Sequence, residues 1–188
     1  MPFIETPFPG LFVFEPKVFH DERGYFFESY NQQVFVAQGL NAGFVQDNQS
    51  SSAYGVIRGL HYQLPPYAQA KLVRVLSGRI LDVAVDIRVG SPAYGKVYSL
   101  ELSAENRKQL YIPAGFAHGF SVLSEQAEVL YKCDQFYNRD SEAGISFQDP
   151  ELNIDWNIPE ERRIISEKDL QLPVFRECRN TFTFNTGQ

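Results

Sequence analysis

Gly78-Arg79-Ile80-Leu81-Asp82-Val83-Ala84-Val85-Asp86-Ile87-Arg88 has a two-residue period. Leu81, Val83, Val85 and Ile87 fall on one side and Asp82, Ala84, Asp86 and Arg88 on the other, the pattern of a β-strand. Gly90-Ser91-Pro92 ends the run. The alternation returns over residues 96–102, with Tyr98, Leu100 and Leu102 on one face. Shorter runs at 72–76, 110–112, 120–123 and 129–133 read as further strands, separated by Gly, Pro, Asn and Asp. This punctuation predicts an all-β sandwich or barrel.

Helices are expected only at the periphery. Asn31 can cap a helix running through Val34, Phe35 and Leu40, with Gly39 near its end. Ser103-Ala104-Glu105-Asn106 reads as one turn. Ser166-Glu167-Lys168-Asp169 resembles a helix N-cap with an acid three residues on. Nothing alternates strand with helix, which argues against a parallel α/β fold. No Gly-x-Gly-x-x-Gly or Gly-x-x-x-x-Gly-Lys motif is present, so dinucleotide and P-loop sites lose their usual support.

Composition narrows the class. A chain of 188 residues is long enough to bury roughly 70% of its unfolded surface around one core, and residues 1–188 read as a single domain. Hydrophobic residues make up 44% and charged residues 21%, which excludes a wholly disordered chain. The net charge is -6 and Lys and Arg do not cluster, so no nucleic-acid partner is expected. No window approaches 18 apolar residues, so no membrane span is expected. The N-terminal residues have neither the basic nor the apolar region of a signal peptide. Cys133 and Cys178 are isolated and belong to no Cys-x-x-Cys motif. Reduced thiols and a cytoplasmic location are the expectation.

The three histidines, His20, His61 and His118, limit the possible chemistry. His61 lies in Arg58-Gly59-Leu60-His61-Tyr62-Gln63, with Gln69 and Lys71 close behind. Either His61 or His118 could be a core histidine satisfied by a hydrogen bond, or a general base oriented by an acid such as Asp82, Asp86 or Asp169. His20, beside Asp21-Glu22-Arg23-Gly24, reads as a turn residue. Arg23, Arg58 and Lys71 are candidates for holding an anion, against the plainer reading of surface charge. In a regular strand Arg58 and His61 face opposite ways. For both to serve one pocket, a bulge at Gly59 must re-aim one of them. Tyr131 shares a strand face with Val129 and Cys133, and from spacing alone it reads as a core residue.

Pro113-x-Gly-x-x-His118 resembles the second motif of the cupin superfamily. Metal-binding cupins usually supply two His one residue apart and a Glu from their first motif. Here that stretch gives only His61, followed by Tyr62 and Gln63, and no metal site is expected.

Eight segments in order resemble the dTDP-4-dehydrorhamnose 3,5-epimerase family over about residues 3–175. They are 21–28, 46–50, 58–63, 71–73, 82–88, 113–120, 131–132 and 166–169. The resemblance implies a cupin-like jelly-roll β-barrel, a homodimer, no cofactor and a dTDP-linked 4-keto-6-deoxyhexose as substrate. It implies that His61 is the base oriented by Asp169, Tyr131 the acid, and Lys71 the group that stabilises an enolate oxygen. Arg23, Arg58 and Lys168 match positions near the diphosphate or nucleoside, and Glu28, Gln46 and Asn48 match nucleotide contacts. His118 and Glu142 match further substrate positions, and the Arg23 and Glu28 positions reach a neighbouring subunit's ligand. Asp82 and Asp86 are read as supporting groups on the inner face. After Tyr137, where many members carry a Pro-containing turn, this chain has Asn138-Arg139-Asp140. A single-carbon epimerase and a non-catalytic nucleotide-sugar-binding cupin are the alternatives.

Overall fold

The alternating stretch forms β8 (Arg79–Asp86), and both of its faces are buried. The computed structural model describes residues 2–40 and 43–184. Leu81, Val83, Val85 and, just past the strand, Ile87 face away from the barrel interior. They pack under C-terminal segments that contribute Phe147, Leu152, Trp156 and Phe175. Ile80 and Ala84 face inward, with Val73, Val75, Leu102, Leu110, Phe120 and Val129. The polar row of β8 therefore points into the barrel, and the apolar row seals a second core behind it.

Two antiparallel sheets enclose the inner core. One has the order β1 (Phe3–Glu5), β2 (Phe12–Phe14), β10 (Gln109–Ile112), β7 (Lys71–Ser77), β12 (Gln126–Cys133), β5 (Gln46–Ala53). The other has the order β13 (Glu142–Gly144), β6 (Ile57–Gln63), β11 (Phe116–Val122), β8, β9 (Val97–Ser103). This is the expected jelly roll. A separate hairpin joins β3 (Phe19–Asp21) to β4 (Gly24–Phe26), so His20 sits in a short exposed strand instead of a turn.

Helix α1 (Gln32–Ala37) starts where Asn31 accepts a hydrogen bond from the Gln33 N–H. It is shorter than the expected span. Gly39, at φ 82°, supplies the left-handed residue that ends it, and the Leu40 N–H returns to the Phe35 carbonyl at 3.1 Å. Phe35 and Leu40 then cover Leu72 and Tyr111 on the outer face of the larger sheet. Among the described residues no helix is long and apolar enough to cross a membrane.

Candidate active site

The site begins with an irregularity in β6. Against β11, His61 pairs with His118 and Arg58 pairs with Phe120. Three steps along β6 thus match two along β11, leaving one extra residue on β6. That is the bulge needed to bring Arg58 and His61 to one cavity, and both line it. Gly59 makes it possible. Its φ is 110°, and a Cβ there would lie 2.6 Å from the His118 carbonyl oxygen and 2.7 Å from Gly119 Cα. Gly59→Ala is expected to lower unfolding free energy by about 2–4 kcal/mol, read from the urea midpoint at unchanged slope.

The bulge also positions His61 against Asp169. Helix α2 (Glu167–Leu170) is capped by Ser166, whose side chain accepts from the Asp169 N–H. The acid three residues past the cap does not turn back to close a capping box. Asp169 instead reaches β6: Oδ1 lies 2.7 Å from His61 Nε2, and Oδ2 accepts from the Gly59 N–H at 3.2 Å. Burial pushes the Asp169 carboxyl up, but hydrogen bonds and charge from His61, Gly59 and Ser166 hold it below its usual value. An ionised Asp169 takes the Nε2 proton bond, so a neutral His61 carries its free lone pair on Nδ1. The His61 side chain is 32% exposed and that of Asp169 only 4%, so the imidazole is reachable while its partner is sealed from water.

The opposite wall belongs to the larger sheet. Tyr131 and Lys71 come from neighbouring strands, β12 and β7, and the Lys71 ammonium lies 5.8 Å from the Tyr131 ring centre. Burial raises the Tyr131 hydroxyl above the ordinary tyrosine value, so it is protonated at neutral pH. Burial also pulls the Lys71 ammonium down, against Cys133, Asp82 and Glu142, which favour its charged form. Lys71 Nζ donates to the His61 carbonyl at 3.4 Å. Tyr131 therefore lines a cavity, although its spacing alone read as core.

His61, Lys71, Tyr131 and Asp169 share a cavity of about 620 Å³ with Asn48, Arg58, His118 and Lys168. A smaller cavity of about 150 Å³ shares Asn48, His61, Lys71 and Tyr131 and adds Gln46 and Glu142. Glu142 is placed despite the altered loop. Asn138 caps the turn that leads into β13, and Glu142 accepts from Lys168 Nζ at 2.6 Å and from the Tyr137 hydroxyl at 3.0 Å. Arg58 Nε donates to Ser52 Oγ at 3.1 Å. His118 Nε2 lies 2.7 Å from Asp82 Oδ1.

The epimerase family's sequence model matches residues 5–177, described as dTDP-4-dehydrorhamnose 3,5-epimerase. The chain belongs to the dTDP-4-dehydrorhamnose 3,5-epimerase family. It is 55% identical to a Shigella flexneri protein of that name over 168 residues, 89% of this chain and 92% of the relative. The crystal structure of the Elizabethkingia anophelis NUHP1 epimerase superposes with a TM-score of 0.90 at 55% identity, covering 93% of this chain and 96% of that one. A dTDP-6-deoxy-D-glucose-3,5-epimerase from Legionella pneumophila Philadelphia 1, solved with dTDP-4-keto-L-rhamnose, gives a TM-score of 0.89 at 46% identity, covering 93% of each chain.

Some residues expected at an epimerase site lie elsewhere. Arg23 and Glu28 line neither cavity within this chain. Arg23 is exposed on the β3–β4 hairpin and bonds to Asp21 through Nε at 3.1 Å, because the hairpin does not fold back over its own barrel mouth. Asp86 does not support the site. The turn after β8 brings Arg88 and Ser91 onto its carboxylate, each at 2.6 Å, and that carboxylate is spent there. Tyr137 was not singled out by sequence. The residue is 55% exposed beside the smaller cavity, and the available signal is two aromatics, Phe136 and Tyr137, in an otherwise polar turn.

Proposed function

We propose that this chain is a cofactor-independent 3,5-epimerase that converts dTDP-4-dehydro-6-deoxy-D-glucose to dTDP-4-dehydro-L-rhamnose. C3 and C5 of that sugar both flank the C4 ketone, so loss of either proton gives an enolate with its charge on O4. His61, backed by Asp169, takes the proton from one face. Lys71 supplies positive charge to the enolate oxygen, a contribution of about 3–4 kcal/mol for a well-aimed donor. Tyr131 returns a proton from the opposite face and inverts the carbon. Exchange with water resets His61 and Tyr131 for the next carbon. Arg58 and Lys168 hold the diphosphate, with Gln46, Asn48, His118 and Glu142 on the rest of the substrate.

The observation that carries this reading is the pairing of walls. An oriented imidazole stands on the smaller sheet, and a protonated phenol with a lysine stands on the larger one. In D₂O, turnover is expected to place deuterium at both C3 and C5. Deuterium at one carbon would make the protein a single-carbon epimerase, and none at either would sink the proposal.

We infer further that the working unit is a cytoplasmic homodimer with shared sites. Exposed Phe19, Tyr25 and Phe26 on the hairpin are suited to burial against a second copy, where Arg23 and Glu28 would meet the partner's substrate. The solution mass should be twice the chain's 21.5 kDa. Arg23→Ala should raise KM roughly tenfold at near-constant kcat, the loss of one charge-assisted contact. A monomer with full activity would refute the shared site.

A further inference from the structure

Beside the His61–Asp169 pair lies a second histidine–aspartate pair that moves no proton in the proposed chemistry. His118 is the direct cross-strand partner of His61. Its Nε2 lies 2.7 Å from Asp82 Oδ1. Asp82, on β8, is fully buried, and its Oδ2 has no hydrogen-bond partner among the described residues. A buried carboxylate with an unmet oxygen is costly. Apolar residues in place of a buried ion pair are often as stable or more so. The same face of β8 already packs Ile80 and Ala84 into the core, so fold stability does not account for an acid there.

We propose that Asp82 is a positioning residue for the epimerisation: it fixes the His118 ring beside His61 and lays a buried carboxylate under the site. The inference rests on the epimerase reading. With Nε2–H given to Asp82, a neutral His118 has Nδ1 as its acceptor, available to a sugar hydroxyl. Burial lowers His118, against the pull of Asp82, and so favours this neutral form. Lys71 is faced by Asp82 on β8, Glu142 on β13, Cys133 and Tyr131 on β12, His61 on β6 and His118 on β11. Of these, Cys133, Asp82 and Glu142 favour the ammonium against burial. Of the two carboxylates, Glu142 is bonded to Lys168, whereas Asp82 has neither a Lys nor an Arg bonded to it among the described residues.

Asp82→Asn keeps the shape and an oxygen that can accept from His118 Nε2–H, and removes the charge. It is expected to lower kcat about 10- to 100-fold, less than direct loss of an oxyanion donor, with KM and dTDP affinity near wild type. Tyr131 deprotonates late, so the alkaline limb of kcat follows Lys71. Without Asp82 the Lys71 ammonium loses its proton sooner, and that limb should move about one pH unit lower. An unchanged kcat with an unmoved limb would overturn the proposal. So would a rate loss matched by lost dTDP affinity and lost thermal stability with no shift of the limb. If Asp82→Asn does not fold, Asp82→Ser, which can also accept from His118, is judged by the same outcomes. Wild-type protein runs alongside. If it fails to turn over the dTDP-ketosugar, the functional reading falls; if it is active and the variants match it, only the role of Asp82 falls.

Discussion

His61→Asn is expected to abolish epimerisation, with kcat/KM reduced by at least about 10³-fold and deuterium exchange lost at C3 and C5 together. Both carbons are lost because, of the two imidazoles on the smaller-sheet wall, only His61 is open to the cavity, its side chain 32% exposed against 7% for His118. Asn is shorter than the imidazole and gives up the contact to Asp169 Oδ1, but the Gly59 N–H still donates to Asp169 Oδ2 at 3.2 Å, so the bulge is retained. dTDP affinity should therefore stay near wild type, because Arg58 and Lys168 are untouched. Equilibrium binding of dTDP with isotope exchange by NMR reads both halves of the prediction. Exchange surviving at either carbon would assign that carbon a different base.

Tyr131→Phe has an effect of comparable size but of another kind. The variant keeps the base and the Lys71 ammonium, so enolate formation should continue. What disappears is the proton donor on the far wall. The enolate then collapses by taking a proton back from the His61 side, and solvent deuterium enters with retention of configuration. Product formation is expected to fall by about 10²–10⁴-fold, while exchange into recovered substrate remains easily measured. Removing a hydroxyl that burial already holds protonated should leave the pH dependence of exchange in place. If exchange and inversion fall by the same factor, Tyr131 is not the donor.

The parts legible in sequence were those where one face of a strand is apolar. β8 and β9 declared themselves through Leu81, Val83 and Val85 and through Tyr98, Leu100 and Leu102. β5 did not, since Gln46-Asp47-Asn48-Gln49-Ser50-Ser51-Ser52 has no apolar member. It is a strand because β12 pairs with it along its whole length, and its polar residues face the cavity and solvent. The bulge at Gly59 was legible, because strand geometry forbade Arg58 and His61 from meeting without one. The His61–Asp169 pair was not derivable from spacing, its members being 108 positions apart; only the resemblance to a family supplied it. Asp82 and Asp86 looked equivalent on the inner row, and only the turn carrying Arg88 and Ser91 tells them apart.

Asp169 reaches His61 from a four-residue helix near the C-terminal end of the chain, docked on the barrel beside the parallel bridge between Val56 and Ile164. The barrel strands are all made before that segment during synthesis. A nascent chain can therefore own a cavity, a phenol and a lysine while its imidazole is still unaimed. Competence arrives last, as a property of the tail's arrival and not of the barrel's closure. On the proposed mechanism the same dependence runs backward: detachment of residues 163–170 would leave His61 unaimed without breaking a pairing between the barrel strands.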